Sequence, residues 1–421
     1  MTTATTLPHW ETTPPDLKAA IREVKVAIRD RIAASGRTIE DVFAVAEARV
    51  AERVAEVEKA GAEAWPVIEY ADIAAGSVPE AQVALLRRRG CAVVRGHFER
   101  EQALAWDRDI LDYVERNRFF EDYRGAGDDF FGSVGSRPEI YPVYWSSAQM
   151  EARQSDRMAR VQSFLNHLWT YESGGVQWFD PDRDSLYPDR IRRRPPGASS
   201  GGLGTHLDVG TLDLWMTRAY QQAFRHLFAG SVERYDPWDA SHRTAGPQYP
   251  GTTMCSVFRT FQGWTALSDM AHDQGVLFTI PIPEAMAYLM LRPLLPDVPD
   301  DDMCGVTVNQ VFPVSERWHP LLLRAKSGIP DVRAGDTVWW HCDVIHGVAP
   351  VEDQQGWGNV MYIPAAPWCP RNEEYAPKVR EAFLAGESPS DFPEEHYERD
   401  WPDRFRAEQL NETGRRGLGM A

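Results

Sequence analysis

The chain has 421 residues, 43% of them hydrophobic, and its formal net charge of −17 argues against nucleic acids and anionic membranes as partners, because an acidic surface repels phosphates. Its five scattered cysteines include no C-x-x-C pair and predict free thiols in a reducing compartment rather than a disulfide framework or a structural zinc site. The N-terminus has no signal-peptide pattern and no apolar run is long enough for a membrane helix, so we expect a cytoplasmic protein.

The first region, residues 1–117, is predicted to be helical with one early core strand. Apolar residues recur at spacings of three and four between residues 16 and 60, which is typical of amphipathic helices. Thr38 and Asp41 resemble a capping box at the start of the second helix. The Val-rich segment CAVVRGHF, residues 91–98, predicts a buried strand. We expect this region to pack on the outside of a core.

The second region, residues 118–370, is predicted to form the core. Short aromatic and β-branched segments between residues 186 and 368 are separated by turn residues, which favours an antiparallel sandwich or barrel. A helical insertion is expected at 215–230. Residues 371–421 are charged, are predicted to be helical around 373–385, and are interpreted as a C-terminal wrap. The predicted fold class is therefore mainly β with a helical cover.

The segment GTHLDVG presents His206 and Asp208 as an H-x-D pair. Residues two apart on a strand point to the same face, so one imidazole and one carboxylate would face a common cavity. Iron(II) that must also bind oxygen takes two imidazoles and one carboxylate on one side and keeps the other positions open. The pair therefore needs one distant histidine to complete such a site.

A second segment, GDTVWWHCDVIHG, offers three further candidate ligands: His341, Asp343 and His346. On a single strand, His341 and Asp343 would share a face and His346 would point to the other side. A site made from this segment alone would crowd its ligands, so we favour His206, Asp208 and His346 as the metal ligands. His341 is then expected to be a core residue and Asp343 a residue that orients a ligand.

These motifs resemble those of a known family. The Thr205–Asp208 segment, the Gly335–Asp336 pair and the His346–Gly347 pair, with His346 eleven residues after Gly335 (346 − 335), are similar to Fe(II)/2-oxoglutarate-dependent oxygenases of the phytanoyl-CoA-hydroxylase-like kind. The stretch WHCDVIHGVAPVEDQQGWGNVMYIPAAP resembles the YbiU-like group of bacterial oxygenase-like proteins. The resemblance implies a double-stranded β-helix (a jelly-roll or cupin-like core), iron(II), O₂ and 2-oxoglutarate.

The chain departs from that family at one position. The wider superfamily carries an arginine or lysine shortly after the distal histidine, which pairs with the far carboxylate of 2-oxoglutarate, whereas residues 356–359 contain no basic residue. A guanidinium is the best partner for a carboxylate. Arg259 is therefore the leading candidate, with Gln262 and Asn359 as additional hydrogen-bond donors. An outward-facing strand position for Arg259 is the alternative.

Three other groups of residues have both structural and functional interpretations. Arg190, Arg192, Arg193 and Arg194 form a basic run that is expected to be a solvated face, but it adjoins the H-x-D segment and could steer an anionic substrate. Structural roles are favoured for the tyrosines before the site: Tyr141, Tyr144 and Tyr187. Most tryptophans are expected to fill the core, with one or two lining a substrate pocket.

The sequence thus predicts an Fe(II)- and 2-oxoglutarate-dependent dioxygenase that hydroxylates or otherwise oxidises a small-molecule substrate. Two alternatives in the same barrel stay open: a cupin-like non-redox binding protein and a metal-dependent isomerase or epimerase. No P-loop or dinucleotide fingerprint is present, so nucleotide chemistry has no support.

Overall fold

The computed structural model describes residues 6–124, 139–208, 211–246 and 255–420. In chain order the α-helices are α1 Leu17–Ala33, α2 Ile39–Ala60, α3 Tyr70–Ala75, α4 Glu80–Arg89, α5 Arg100–Arg116, α6 Phe119–Asp122, α7 Ser147–Arg153, α8 Asp156–Asn166, α9 Asp213–Met216, α10 Arg218–Ala223, α11 Arg225–Phe228, α12 Ala285–Leu291, α13 Pro320–Leu323, α14 Pro370–Ala385 and α15 Glu412–Gly417. Short 3-10 turns lie at Gly61–Ala64, Val232–Arg234, Arg243–Ala245, Arg292–Leu294, Tyr397–Asp400 and Ala407–Gln409.

The strands are short and most of them lie in the second half of the chain. In order they are β1 Val67–Glu69, β2 Cys91–Arg95, β3 Ile140–Tyr141, β4 Glu172–Ser173, β5 Val176–Gln177, β6 Asp180–Asp184, β7 Ile191–Arg192, β8 Leu203–Leu207, β9 Phe261–Ala266, β10 Leu277–Ile280, β11 Phe312–Pro313, β12 Ser327–Gly328, β13 Thr337–His341, β14 Ile345–Val348, β15 Val360–Ala365 and β16 Pro367–Trp368.

Two sheets organise the core. One has seven strands in the order β1-β2-β13-β9-β15-β7-β3, and the other has five in the order β11-β8-β14-β10-β12. Apart from the parallel pair β1 and β2, the described strand pairs of these sheets are antiparallel. From β7 to β15 the chain passes repeatedly from one sheet to the other, so residues close in sequence face the space between the sheets from both sides.

The N-terminal helices follow the sequence pattern. The capping box of α2 is present, because Thr38 accepts from the Asp41 backbone N–H while the Asp41 carboxylate accepts from that of Thr38. The apolar face of α2 is buried against α12, whose seven residues are all buried. Hydrophobic burial of this kind stabilises a helix more than its intrinsic propensity does. The predicted early strand is confirmed as β2, whose first four residues are fully buried.

The expectation of a mainly β protein with a helical cover is confirmed only in part. About 41% of the described residues are helical and about 16% lie in strands, so the described fold combines sheets with a larger helical part. The predicted insertion at 215–230 is confirmed as α9, α10 and α11, but α12 was missed inside the predicted β region. Its sequence AMAYLML is apolar on every side, and a short apolar run has no periodicity that separates a helix from a strand.

The C-terminal segment penetrates the core instead of only wrapping its surface. The side of α14 that includes Tyr375, Val379 and Phe383 is buried. Beyond it, the buried Glu398 carboxylate accepts hydrogen bonds from the backbone N–H groups of Tyr144 and Trp145. These contacts join the end of the chain to the segment between β3 and α7.

Candidate metal centre

Two histidines face each other across neighbouring strands of the five-stranded sheet. His206 on β8 is the register partner of His346 on β14, and the ring centroids are 4.5 Å apart. Glycine permits this close approach: at Gly202, where φ is +73°, an added Cβ would collide with the Val348 carbonyl oxygen, and at Gly347 it would lie 2.5 Å from the Phe278 ring. The local sequence therefore brings the two imidazoles together.

Backbone carbonyls fix the orientation of both rings. Nδ1 of His206 lies 2.6 Å from the Gly204 carbonyl oxygen, and Nδ1 of His346 lies 3.1 Å from that of Val344. A carbonyl can only accept, so each Nδ1 carries the hydrogen and donates it. In a neutral ring Nε2 then directs its lone pair to the space between the rings, as in metal-binding histidines. Burial acts against the charged form of His206, but its hydrogen bond to Asp208 raises its pKa, so metal binding must displace a proton there.

Asp208 supplies the carboxylate of the cluster. It follows the end of β8, and its Oδ1 lies 3.2 Å from Nε2 of His206 while its Oδ2 lies 3.7 Å from Nε2 of His346. All three groups are buried, and their ligand atoms lie within 4.8 Å of one another. Ligand atoms placed about 2 Å from one ion are separated by roughly 3 to 4 Å, so a single ion fits the three groups.

The charges around Asp208 keep it ionised. Burial alone would raise its pKa, but His346, His206 and Arg259 together lower that pKa to about 2. Burial lowers the pKa of His346 to about 4. At neutral pH the cluster therefore offers one carboxylate and, at His346, a neutral imidazole, both in the protonation states that metal binding requires.

The cluster forms part of the wall of a cavity of about 1170 Å³ between the two sheets. Aromatic side chains of the seven-stranded sheet line it, among them Trp264, Trp340 and Tyr362, and Trp357 lies at its edge with 44% of its surface exposed. The volume exceeds the roughly 300 to 1,000 Å³ of ordinary ligand sites. The cavity therefore has room for a small organic molecule beside the metal.

The three residues expected to bind the distal carboxylate lie in different environments. Arg259 and Gln262 line the cavity, and the Arg259 guanidinium lies 3.7 Å from the Asp208 carboxylate. Asn359 is not part of the described cavity wall: its amide donates to both carboxylate oxygens of Asp107, at 3.0 and 3.2 Å. The prediction for Asn359 was wrong, because the loop before β15 turns that side chain toward α5.

The arginine run is buried, contrary to the expectation of a solvated face. Its members are only 3–8% exposed and line the cavity: Arg190, Arg192, Arg193 and Arg194. The sequence did contain a sign of this. In an extended segment, alternate residues share one face, so Arg190, Arg192 and Arg194 were expected to point to the same side. Of the tyrosines, Tyr141 and Tyr187 line the cavity and Tyr144 does not.

The second ligand-like group, His341, Cys342 and Asp343, has a structural role. A turn separates β13 from β14, so His341 and His346 lie in different sheets and not on one strand. The His341 ring is stacked on Trp169 with centroids 4.4 Å apart, as expected of a core residue. Asp343 is paired with Arg243 at 2.7 Å and has no described hydrogen bond to a metal ligand, so any effect on His346 passes through the turn between β13 and β14.

The fold and the cluster together define a mixed α and β protein with a candidate metal centre between two sheets. The chain belongs to the Gig2-like family, whose model matches residues 15–420. The YbiU-like part of the sequence resemblance is thereby confirmed, since the protein YbiU of Escherichia coli (strain K12) is 58% identical over 416 residues, which cover 97% of this chain and 98% of YbiU. The matching family model is not that of the phytanoyl-CoA hydroxylases.

Crystal structures of relatives extend over nearly the whole chain. A protein from Salmonella typhimurium LT2, provisionally named an oxidoreductase, is 57% identical with a TM-score of 0.93, covering 98% of this chain and 99% of its own. The protein of GlcNAc Inducible Gene 2 from Candida albicans is 25% identical with a TM-score of 0.77, covering 97% and 91%. Within the described residues, none of the helices is long and apolar enough to cross a membrane.

Proposed function

We propose that this protein is an Fe(II)- and 2-oxoglutarate-dependent oxygenase that oxidises a small molecule. One observation carries the proposal: two imidazole Nε2 atoms and one carboxylate, from segments 138 residues apart (346 − 208), converge within 4.8 Å on the wall of a large cavity. A set of two histidines and one carboxylate with open positions is the donor set of non-haem iron(II) oxygenases. A fully closed structural zinc site would need a fourth protein ligand.

The strand order supports a double-stranded β-helix and so a distant relation to the phytanoyl-CoA-hydroxylase-like superfamily. Four strands of one sheet follow the order β7-β15-β9-β13, and four of the other follow β8-β14-β10-β12. Numbering these eight strands along the chain gives 1-8-3-6 opposite 2-7-4-5, which is the strand order of a jelly roll built from two Greek keys. In this arrangement the ends of strands 2 and 7 meet, and they carry His206 and His346.

The proposed ion would be held by His206, Asp208 and His346. When bound, iron(II) would supply two linked reactions with O₂. One oxygen atom of O₂ goes into succinate as 2-oxoglutarate loses CO₂, and the other is transferred to the substrate. The other roles fall to side chains of this protein. Arg259 stabilises the charge of Asp208 from 3.7 Å, and Trp264 and Trp340 exclude water from the space next to the cluster.

An anaerobic titration tests the proposal. Fe(II) and 2-oxoglutarate are added to the purified protein, and the weak visible charge-transfer band of the chelate is recorded. We expect the band in the native protein and its loss in His206→Ala. His272→Ala serves as the matched control, because His272 is exposed and paired with Asp331 outside the cavity, and it should keep the band.

The same experiment separates the proposal from its alternatives. A cupin-like binding protein or a metal-dependent isomerase would not convert 2-oxoglutarate to succinate. After admission of O₂, succinate is therefore measured in the presence of candidate small acids and alcohols. A native protein that binds iron but shows neither the band nor succinate would refute the oxygenase proposal.

A further inference from the structure

Arg192 differs from the other arginines of the cavity wall in having no acidic partner among the described residues. It is 8% exposed, and its Nε donates to the Gly358 carbonyl oxygen at 3.4 Å. The other three arginines of the run each lie within 3.5 Å of a carboxylate: Arg190 with Asp189 at 3.5 Å, Arg193 with Asp107 at 3.0 Å and Arg194 with Glu139 at 3.1 Å. Arg192 is therefore the member of the run without an ion pair among the described residues, and Glu139, which is paired with Arg194, acts on it only at longer range.

The other acids of the cavity lining do not supply a counterion for Arg192. Both carboxylate oxygens of Glu139 accept hydrogen bonds from Nε of Arg194, at 3.2 and 3.1 Å. Glu115 and Glu352 are exposed to solvent, and Asp208 is paired with Arg259. A buried guanidinium is unfavourable because it has lost its hydration, unless an anion compensates its charge. The cavity itself is where such an anion can bind.

The surroundings of Arg192 indicate which anion fits. One uncompensated positive charge matches the single negative charge of a carboxylate better than the double charge of a phosphate. A planar guanidinium also binds a carboxylate through two parallel hydrogen bonds. Tyr362, on the neighbouring strand β15, lines the cavity beside Arg192, and its hydroxyl is a further possible donor.

We propose that Arg192 is the anion-binding residue of the cavity and that its ligand is a carboxylate of a small organic acid. Two sources can supply that carboxylate: the far end of a 2-oxo diacid, or an acidic group of the molecule that is oxidised. The anion site follows from the cavity alone, and only the assignment of its ligand to the 2-oxo diacid rests on the proposed function.

The first measurement uses metal-free protein and does not depend on that function. Binding of 4-fluorobenzoate and of its neutral analogue 4-fluorobenzamide is followed by fluorine NMR line broadening, which detects weak binding. We expect the native protein to bind the acid about tenfold more tightly than the amide, which is about 1.4 kcal/mol, because a charge-assisted hydrogen bond is stronger than a neutral one. The preference should disappear in Arg192→Gln and return in part in Arg192→Lys.

Arg160→Gln is the matched control, because it removes the same charge from an exposed position on α8 that is not part of the cavity wall. It should keep the preference for the acid. Equal binding of acid and amide by the native protein would overturn the proposal. So would an Arg192→Gln variant with native circular dichroism and an unchanged preference. If Arg192→Gln does not fold, the uncharged Arg192→Met replaces it, and an unchanged preference for the acid in that variant would overturn the proposal.

The second measurement identifies the source of the carboxylate. Iron-loaded native and Arg192→Gln proteins are titrated without oxygen with 2-oxoglutarate and with 2-oxobutanoate, which lacks the far carboxylate. A loss of about tenfold or more for 2-oxoglutarate alone assigns Arg192 to the co-substrate. Unchanged affinity for both acids assigns Arg192 to the oxidised molecule. If the native protein binds neither, the proposed function fails while the first measurement still decides the anion site.

Discussion

Arg243 and Asp343 form a buried ion pair behind the turn that leads to His346. The two guanidinium nitrogens Nη1 and Nη2 donate to the two carboxylate oxygens at 3.0 and 2.7 Å, and Asp343 has no exposed surface. Asp343 lies in the turn between β13 and β14, only three positions before His346. The pair therefore holds a metal-ligand strand in place through its connecting turn.

We expect the substitution Arg243→Met to lower the free energy of unfolding at pH 7 by about 3–5 kcal/mol, because removal of one partner leaves a buried charge uncompensated. The hydroxyl of Tyr235, 3.4 Å from Asp343, is too far to replace the guanidinium. The assay is urea unfolding followed by circular dichroism. The turn should also loosen, so the affinity for Fe(II) should fall in the variant that remains folded.

The pH dependence of the stability loss shows whether the uncompensated charge of Asp343 causes it. Burial by itself would raise the pKa of Asp343, but Arg243 holds it below its ordinary value. In the native protein, the stability from this lowered pKa is present above the unfolded value of about 3.9 and is lost as the pH falls. Without Arg243, burial raises the folded pKa above the unfolded one. The penalty of Arg243→Met should then be smaller at pH 5 than at pH 8.

Two further variants complete the test. Arg243→Met combined with Asp343→Asn removes the uncompensated charge of residue 343 and should recover part of the lost free energy of unfolding. Arg225→Met is the control, because its ion pair with Asp239 at 3.2 Å is partly exposed and should contribute about 1 kcal/mol or less. Equal penalties at pH 5 and pH 8, with no recovery in the double variant, would refute the reasoning.

Three other predictions can be checked with the same methods. Gly263→Ala should lower the free energy of unfolding in urea by about 1–3 kcal/mol, because the new Cβ would lie 2.5 Å from a backbone carbonyl oxygen of β13. The control Gly356→Ala should be neutral, because a Cβ there would have no atom within 4 Å. Asp208→Asn should weaken Fe(II) binding, measured by calorimetry, by more than about 100-fold, which is the upper range for loss of an outer partner. Burial raises the pKa of Glu398 to about 7, above its unfolded value of about 4.3. The stability from this raised pKa is therefore full below that unfolded value and is lost as the pH rises through 7. The non-titrating Glu398→Gln should remove this loss, so its urea midpoint relative to the native protein should be higher at pH 8 than at pH 5.

The sequence contained enough to bring the three candidate ligands together. The H-x-D spacing placed His206 and Asp208 on one side of a strand, and parity separated His341 from His346. The parity argument for His341 and His346 was incomplete, because the two residues lie on two strands in different sheets and not on one strand. A turn within six residues of an apolar segment leaves little trace in the sequence, although Asp343 is a typical turn residue.

The anion-binding side of the cavity was harder to predict, because the relevant property is which charges remain after pairing. The sequence contains four arginines in five residues and places Asp189 next to Arg190, but it cannot indicate that Arg193 and Arg194 are paired with acids from elsewhere in the chain. Asn359 was misassigned for the same reason: its partner Asp107 lies 252 residues away. Pairings over such separations depend on tertiary structure, not on local pattern.

The C-terminal segment contacts residues of the cavity, and the family match, which extends over residues 15–420, includes this segment. The buried Asp391 carboxylate accepts from the backbone and the hydroxyl of Ser256, at 2.7 and 2.5 Å, and from the hydroxyl of Tyr187 at 2.9 Å. Tyr187 lines the cavity, and Ser256 lies three residues before Arg259. A carboxylate from outside the sheets thus positions both sides of the proposed site, and the sheets without this segment would lack that support.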